Sequence, residues 1–121
     1  MMKNKVAMRH ILPLSLLGCT LLAGCNTAPK TLYQWESYQP QVHEYFKGQN
    51  GADQQIGILE KDLQKIRAAG NSPPPGYHAH LGMLYASIAK DDQVAQQFET
   101  EKTLFPESSI YMDFLMRKFK K

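Results

Sequence analysis

The stretch PGYHAHLGMLYASIAKDDQVAQQFETEKTLFP, Pro75–Pro106, decides how this chain folds. It opens on proline, breaks once at a polar cluster and closes on proline. In its first half Tyr77, Leu81, Leu84, Tyr85 and Ile88 recur at i, i+4, i+7, i+8 and i+11, the stripe a helix needs to bury one face. Pro73, Pro74 and Pro75 block helix upstream, and proline is well tolerated in a first turn. Lys90-Asp91-Asp92-Gln93 reads as the turn, with Asp91 or Asp92 placed to accept from the free amides of the next helix. There Val94, Phe98 and Phe105, with neighbouring Leu104, form the facing stripe before Pro106 ends it. Helices joined by so short a link lie antiparallel.

This spacing resembles a tetratricopeptide repeat, a helix–turn–helix of about 34 residues with small and aromatic residues at fixed places. Leu81, Gly82, Tyr85, Phe98 and Pro106 fall where that pattern has Leu, Gly, Tyr, Phe and Pro. Glycine at 82 lets the partner helix approach, and Phe98 fills the space. His78, Val94 and Glu101 depart from the pattern, standing where Trp, Ala and Ala are usual. An ordinary antiparallel helix pair is the simpler alternative.

Residues 1–24 are expected to be no part of any folded domain. Lys3, Lys5 and Arg9 make a basic head, and 11–23 is an almost uncharged apolar run. That run is too short to span a bilayer and suits an export signal. Its end, Leu22-Ala23-Gly24-Cys25, resembles the bacterial lipoprotein signal, in which small residues precede a cysteine that becomes the lipid-bearing N-terminus. Leu16-Leu17-Gly18-Cys19 is a poorer copy, since cleavage there would leave a second apolar stretch attached.

The resemblance implies diacylglycerol on the Cys25 sulfur and a third acyl chain on its amine. At about 0.8 kcal/mol per buried methylene, three chains hold a protein on a membrane essentially for good, where one holds it marginally. Cys19 leaves with the signal, so no thiol remains to form a disulfide. Asn26, in place of the aspartate that retains lipoproteins at the inner membrane, implies the periplasmic face of the outer membrane. Residues 25–30 are then a lipidated tether and 31–121 the folded part. The chain has 14 basic and 11 acidic residues; without Lys3, Lys5 and Arg9 the balance is 11 against 11. The apparent basicity therefore belongs to export, and nucleic acid is not an expected partner.

Upstream of the central pair, residues 31–47 are dense in aromatics: Tyr33, Trp35, Tyr38, Tyr45 and Phe46. They read as core more than as a ligand box in so small a domain. Pro40 should bend or restart a helix, giving two segments, with Val42, Tyr45 and Phe46 on one face of the second. Residues 48–51 make a turn cluster, Asp53 opens a helix along Ile56, Leu59, Leu63 and Ile66, and Gly70 supplies its left-handed cap. After Pro106, Ser108 or Ser109 is placed to cap a last helix with Met112, Leu115, Met116 and Phe119 inward. Arg117, Lys118, Lys120 and Lys121 crowd its end, which suits the helix dipole and a solvated tail, with lipid contact as the alternative. The expected fold is all-α: a small antiparallel bundle of about five helices behind the signal.

The segments LYQWESY (Leu32–Tyr38), PPPGYHAHLGMLYAS (Pro73–Ser87), FETEKTLFPES (Phe98–Ser108) and YMDFLM (Tyr111–Met116) resemble a family of small Gram-negative lipoproteins classed as a domain of unknown function. The resemblance implies gene neighbours similar to the curli-secretion-channel lipoprotein, and so an assembly accessory to such a complex. It carries no active-site residues and no cofactor beyond the lipid.

Chemistry is sparse. His78 and His80 are two apart, so on a helix they point different ways and cannot chelate together. The usual metal-ligand spacings, phosphate loops and nucleophile elbows are absent, and the carboxylates read as scattered on solvated faces. The expectation is a non-catalytic interaction module without metal. In a tetratricopeptide-like array the outward positions of the first helix meet a partner, here Gly76, Ala79, Met83, Ala86 and Ser87. Small residues admit a partner closely and methionine adapts to it. A small-ligand or cell-wall module built on the N-terminal aromatics is the competing reading.

Overall fold

Among residues 30–119, which the computed structural model describes, five α-helices follow one another: α1 (Tyr38–Lys47), α2 (Ala52–Ala68), α3 (Tyr77–Ser87), α4 (Asp91–Leu104) and α5 (Ser109–Met116). A single 3₁₀ turn, Pro106–Ser108, leads into α5, and no strand occurs among the described residues. None of these helices is long and apolar enough to cross a membrane. The export signal and Cys25 lie outside the described residues.

The core forms where the apolar stripes converge. Leu59, Leu63 and Ile66 of α2, Tyr77, Leu81, Leu84 and Tyr85 of α3, Val94 and Phe98 of α4, and Met112 and Met116 of α5 are all buried in one cluster. The closest approach is at Gly82, where a Cβ would stand 2.5 Å from Phe98 Cε1 and 2.7 Å from Cδ1. Glycine costs a helix interior about 1 kcal/mol, and here the missing side chain is the seat of the Phe98 ring. α3 is surrounded: His78 and His80 are as buried as the leucines, and α2, α4 and α1 all touch it.

α3 begins without a capping side chain and without an acid in its first turn. Its cap comes from the neighbouring helix. Glu101 of α4 is buried and accepts from the amides of Gly76 (2.6 Å), His78 (3.1 Å) and Ala79 (3.2 Å). The Tyr77 amide is bonded to Pro74 O, so all the amides that open the helix are partnered. The carboxylate also faces the positive end of the helix dipole, a favourable placement worth up to about 2 kcal/mol when partly buried.

The first pair repeats this device. Asp62 of α2 is buried and accepts from the Ser37 amide (3.1 Å) and the Ser37 hydroxyl at the start of α1. In each pair the acid lies 25 residues beyond the capped amide, Ser37 to Asp62 and Gly76 to Glu101. The helix starts match as well, Tyr38 with Tyr77 and Ala52 with Asp91, so one structural unit recurs at an interval of 39 residues (77 − 38 and 91 − 52). Burial opposes the charge on Asp62, but bonds from Lys65 and Ser37 outweigh it and hold the carboxyl below the usual range.

Several expectations need correction. Pro40 does not divide two helices; it sits in the first turn of α1, where its missing N–H is not needed, and residues 30–37 are not helical. The side chain that α1 buries most fully is Gln41, while Phe46 is 81% exposed. Asp91 and Asp92 make no cap bond but lie in the first turn of α4, and Ser108 and Ser109 turn their hydroxyls back to Phe105 O and Pro106 O. Leu104 points outward; Glu101 takes its place on the inward stripe. Gly70 does adopt the left-handed conformation, with Asn71 N–H bonded to Ile66 O at 3.0 Å.

Replacing Gly82 with alanine should therefore destabilise the fold by about 1–3 kcal/mol through overpacking, despite the better helix propensity of alanine. Urea unfolding measures this; an unchanged or higher midpoint would mean that Phe98 is not seated on Gly82.

Candidate functional site: an amide-lined groove

Two polar helix faces meet across the flank of α3. On α2, Glu60, Gln64 and Arg67 recur at i, i+4 and i+7, and on α4, Gln93, Gln96 and Gln97 recur at i, i+3 and i+4. Either set lies along one side of its helix. Together with Leu63 and Leu81 they line a groove of about 280 Å³. The two leucines are buried core residues beneath the groove, so the surface it offers is that of its hydrogen-bonding walls.

The walls are held from behind. His78 Nδ1 donates to Gln97 Oε1 at 2.7 Å, and the Tyr85 hydroxyl donates to Glu60. Burial, reinforced by Glu60, pushes the Tyr85 hydroxyl well above its ordinary value, so it remains a donor. The groove thus offers carboxamides that both donate and accept, one carboxylate and one guanidinium. Such a lining suits a chain of alternating N–H and C=O groups.

The α3 residues expected to meet a partner lie elsewhere on that helix. Ala79 and Ala86 are half-buried against the core, Ser87 is exposed with its hydroxyl bonded to Leu84 O, and Met83 is 38% exposed. Gly76 is half-buried and adopts a left-handed backbone (φ 90°), with the Tyr38 hydroxyl 2.9 Å from where a Cβ would stand. None of these five lines the groove. Of the N-terminal aromatics, Tyr38 stacks on Tyr77 at 5.0 Å and Tyr45 meets His80 edge-on at 5.2 Å, while Trp35 and Phe46 remain exposed. Among the described residues, no three His, Cys, Asp or Glu side chains group closely enough to hold a metal ion.

His78 and His80 diverge, as their spacing requires, and both are buried. Desolvation lowers the pKa of each, for His78 against the opposing pull of Gln97 and Glu101. His80 Nε2 has no partner among the described residues, and its ring sits between Tyr38 and Tyr45. The unfolded chain therefore binds these protons more readily than the folded one. Stability should be full above about pH 6.5 and fall as the pH drops below it, well before the carboxylate range of Asp62 is reached. Urea midpoints measured against pH check this, and His80→Gln should flatten the slope; a midpoint that rises on acidification would contradict it.

No curated protein and no solved structure matches the chain. The family model described as a domain of unknown function, DUF4810, matches residues 32–115, from the segment before α1 to the last turn of α5, and the chain belongs to that family.

Proposed function

We propose that this chain is an outer-membrane lipoprotein whose helical domain, tethered at the periplasmic face through lipid on Cys25, binds a protein partner without catalysing a reaction. The partner class is another lipoprotein of that membrane, similar to the curli-secretion channel, as the family resemblance implies. The observation that carries the binding reading is the groove between α2 and α4. Its glutamines, with Glu60 and Arg67, can pair with the backbone of an extended segment. Ala79, Met83, Ala86 and Ser87 form a second surface through which the same partner could be held. Trp35 and Phe46 favour the competing reading, since exposed aromatic faces suit a sugar or cell-wall fragment.

Photo-crosslinking in intact cells separates the two. A crosslinking residue at Gln96 should capture another outer-membrane lipoprotein, and mass spectrometry of the extracted chain should show cleavage before Cys25 with three acyl chains attached. Capture at Met83 alone would move the contact to α3. No capture at either place, with saturable binding of peptidoglycan fragments lost in Trp35→Ala, would overturn the partner reading in favour of the cell wall. An intact N-terminus would overturn the anchor.

A further inference from the structure

α5 is apolar on two sides, and only one of them is used by the core. Met112 and Met116 point inward, with Leu115 and Phe119 half-buried beside them. Ile110, Tyr111 and Phe114 point outward and are 85%, 58% and 49% exposed. At about 100° per residue, Ile110 and Phe114 follow one line along the helix with Tyr111 beside it, and Arg117 and Lys118 stand in the turn that follows. Arg117 and Lys118 lie over the Phe114 ring, at 5.8 Å and 5.3 Å from its centre. Asp113, at the border of this face, is engaged by Lys102 of α4 at 2.7 Å. The outward face therefore joins three apolar side chains to two cations and contains no carboxylate of its own.

We infer that this face of α5 seats on the surface of an anionic lipid bilayer and fixes how the tethered domain stands on the membrane. The inference rests on the lipid anchor at Cys25. Three features favour a bilayer over other occupants. First, the basic pair is complementary to anionic headgroups, while the aromatic and aliphatic side chains suit the boundary just beneath them. Second, a parallel contact with a second copy would bring Arg117 and Lys118 against their own images. Third, a shallow membrane contact needs little affinity of its own, because the anchor already keeps the domain at high effective concentration beside the bilayer.

The chain path leaves α5 free to reach the membrane. Tyr33, close to where the tether ends, packs edge-on against Phe105 at 5.9 Å, and Phe105 leads directly into the 3₁₀ turn and α5. Between Cys25 and Lys30 the chain can span no more than about 20 Å. A tether of this length allows the start of α5, a helix roughly 12 Å long, to reach the surface.

The test uses the full lipidated chain in vesicles, with Phe114→Cys carrying an environment-sensitive fluorophore and Gln96→Cys carrying it as the control. Lipids bearing a quencher report the depth of the label. In vesicles of phosphatidylcholine with phosphatidylglycerol, the label at 114 should be quenched and the label at 96 should not. Each basic residue near an anionic surface is worth about fivefold in the docked population, so Arg117→Gln with Lys118→Gln should lower it about 25-fold, as should pure phosphatidylcholine. Equal quenching at both labels, or quenching that ignores the lipid charge, would overturn the inference. So would energy transfer between copies at position 114, which would assign the face to self-association, or an acidic protein captured there in cells. If quenching is absent while mass spectrometry shows Cys25 acylated, the docking fails and the anchor stands. If Cys25 is unmodified, the anchor reading fails and the docked state with it.

Discussion

A carboxylate taken out of water is costly unless every one of its oxygens is engaged. Glu101 meets that condition by closing on the amides of Gly76, His78 and Ala79, which would otherwise be orphans at the start of a buried helix. Neither side of this contact tolerates the loss of the other. A buried α3 without the carboxylate leaves several unpaired donors, at about 1–3 kcal/mol each. A buried Glu101 without α3 is an uncompensated charge. The contact fixes the rotation and the register of α4 against α3, and Gly82 facing Phe98 is the packing that this register produces. Asp62 and Ser37 impose the same constraint on α1 and α2. The two pairs are one device used twice, and stacking them leaves the polar sides of α2 and α4 facing each other across Leu63 and Leu81.

That arrangement explains a division of labour along α3. The helix supplies the common floor and is buried on nearly all sides, so its tyrosines and histidines serve packing and internal bonds. The hydrogen-bonding capacity open to solvent belongs to α2 and α4, whose glutamines, with Glu60 and Arg67, form the groove. Apolar surface open to solvent lies on α5, at Ile110, Tyr111 and Phe114, and on the N-terminal part of the domain, at Leu32, Trp35 and Phe46.

Much of the architecture was legible in the sequence because its signals are local. The stripe Tyr77, Leu81, Leu84, Tyr85 gives a helix whatever it packs against, and Gly82 with Phe98 marks the close approach. The carboxylate caps were not legible, because their partners are backbone amides, which leave no trace in a side-chain pattern. The available clue was an acid on an apolar stripe: Glu101 follows Val94 at i+7 and Phe98 at i+3, and Asp62 follows Leu59 at i+3. The repeat at 39 residues was hidden by divergence, since Tyr38/Tyr77, Asp53/Asp92, Gln54/Gln93 and Glu60/Glu99 are among the few identities it retains. The groove was invisible for a different reason. Glutamines on a helix look like a solvated face until the fold shows which other polar face lies opposite them.

Amide hydrogen exchange at Gly76, His78 and Ala79 tests the carboxylate cap most directly. If Glu101 holds these three amides in the interior, they should exchange only by global unfolding, as slowly as the amides of Leu81 and Leu84. In Glu101→Ala they should exchange at least about 100-fold faster relative to those core amides, as the loss of bonds to a charged acceptor implies. Rapid exchange in the unaltered protein, at the rate of a frayed helix start, would contradict the account.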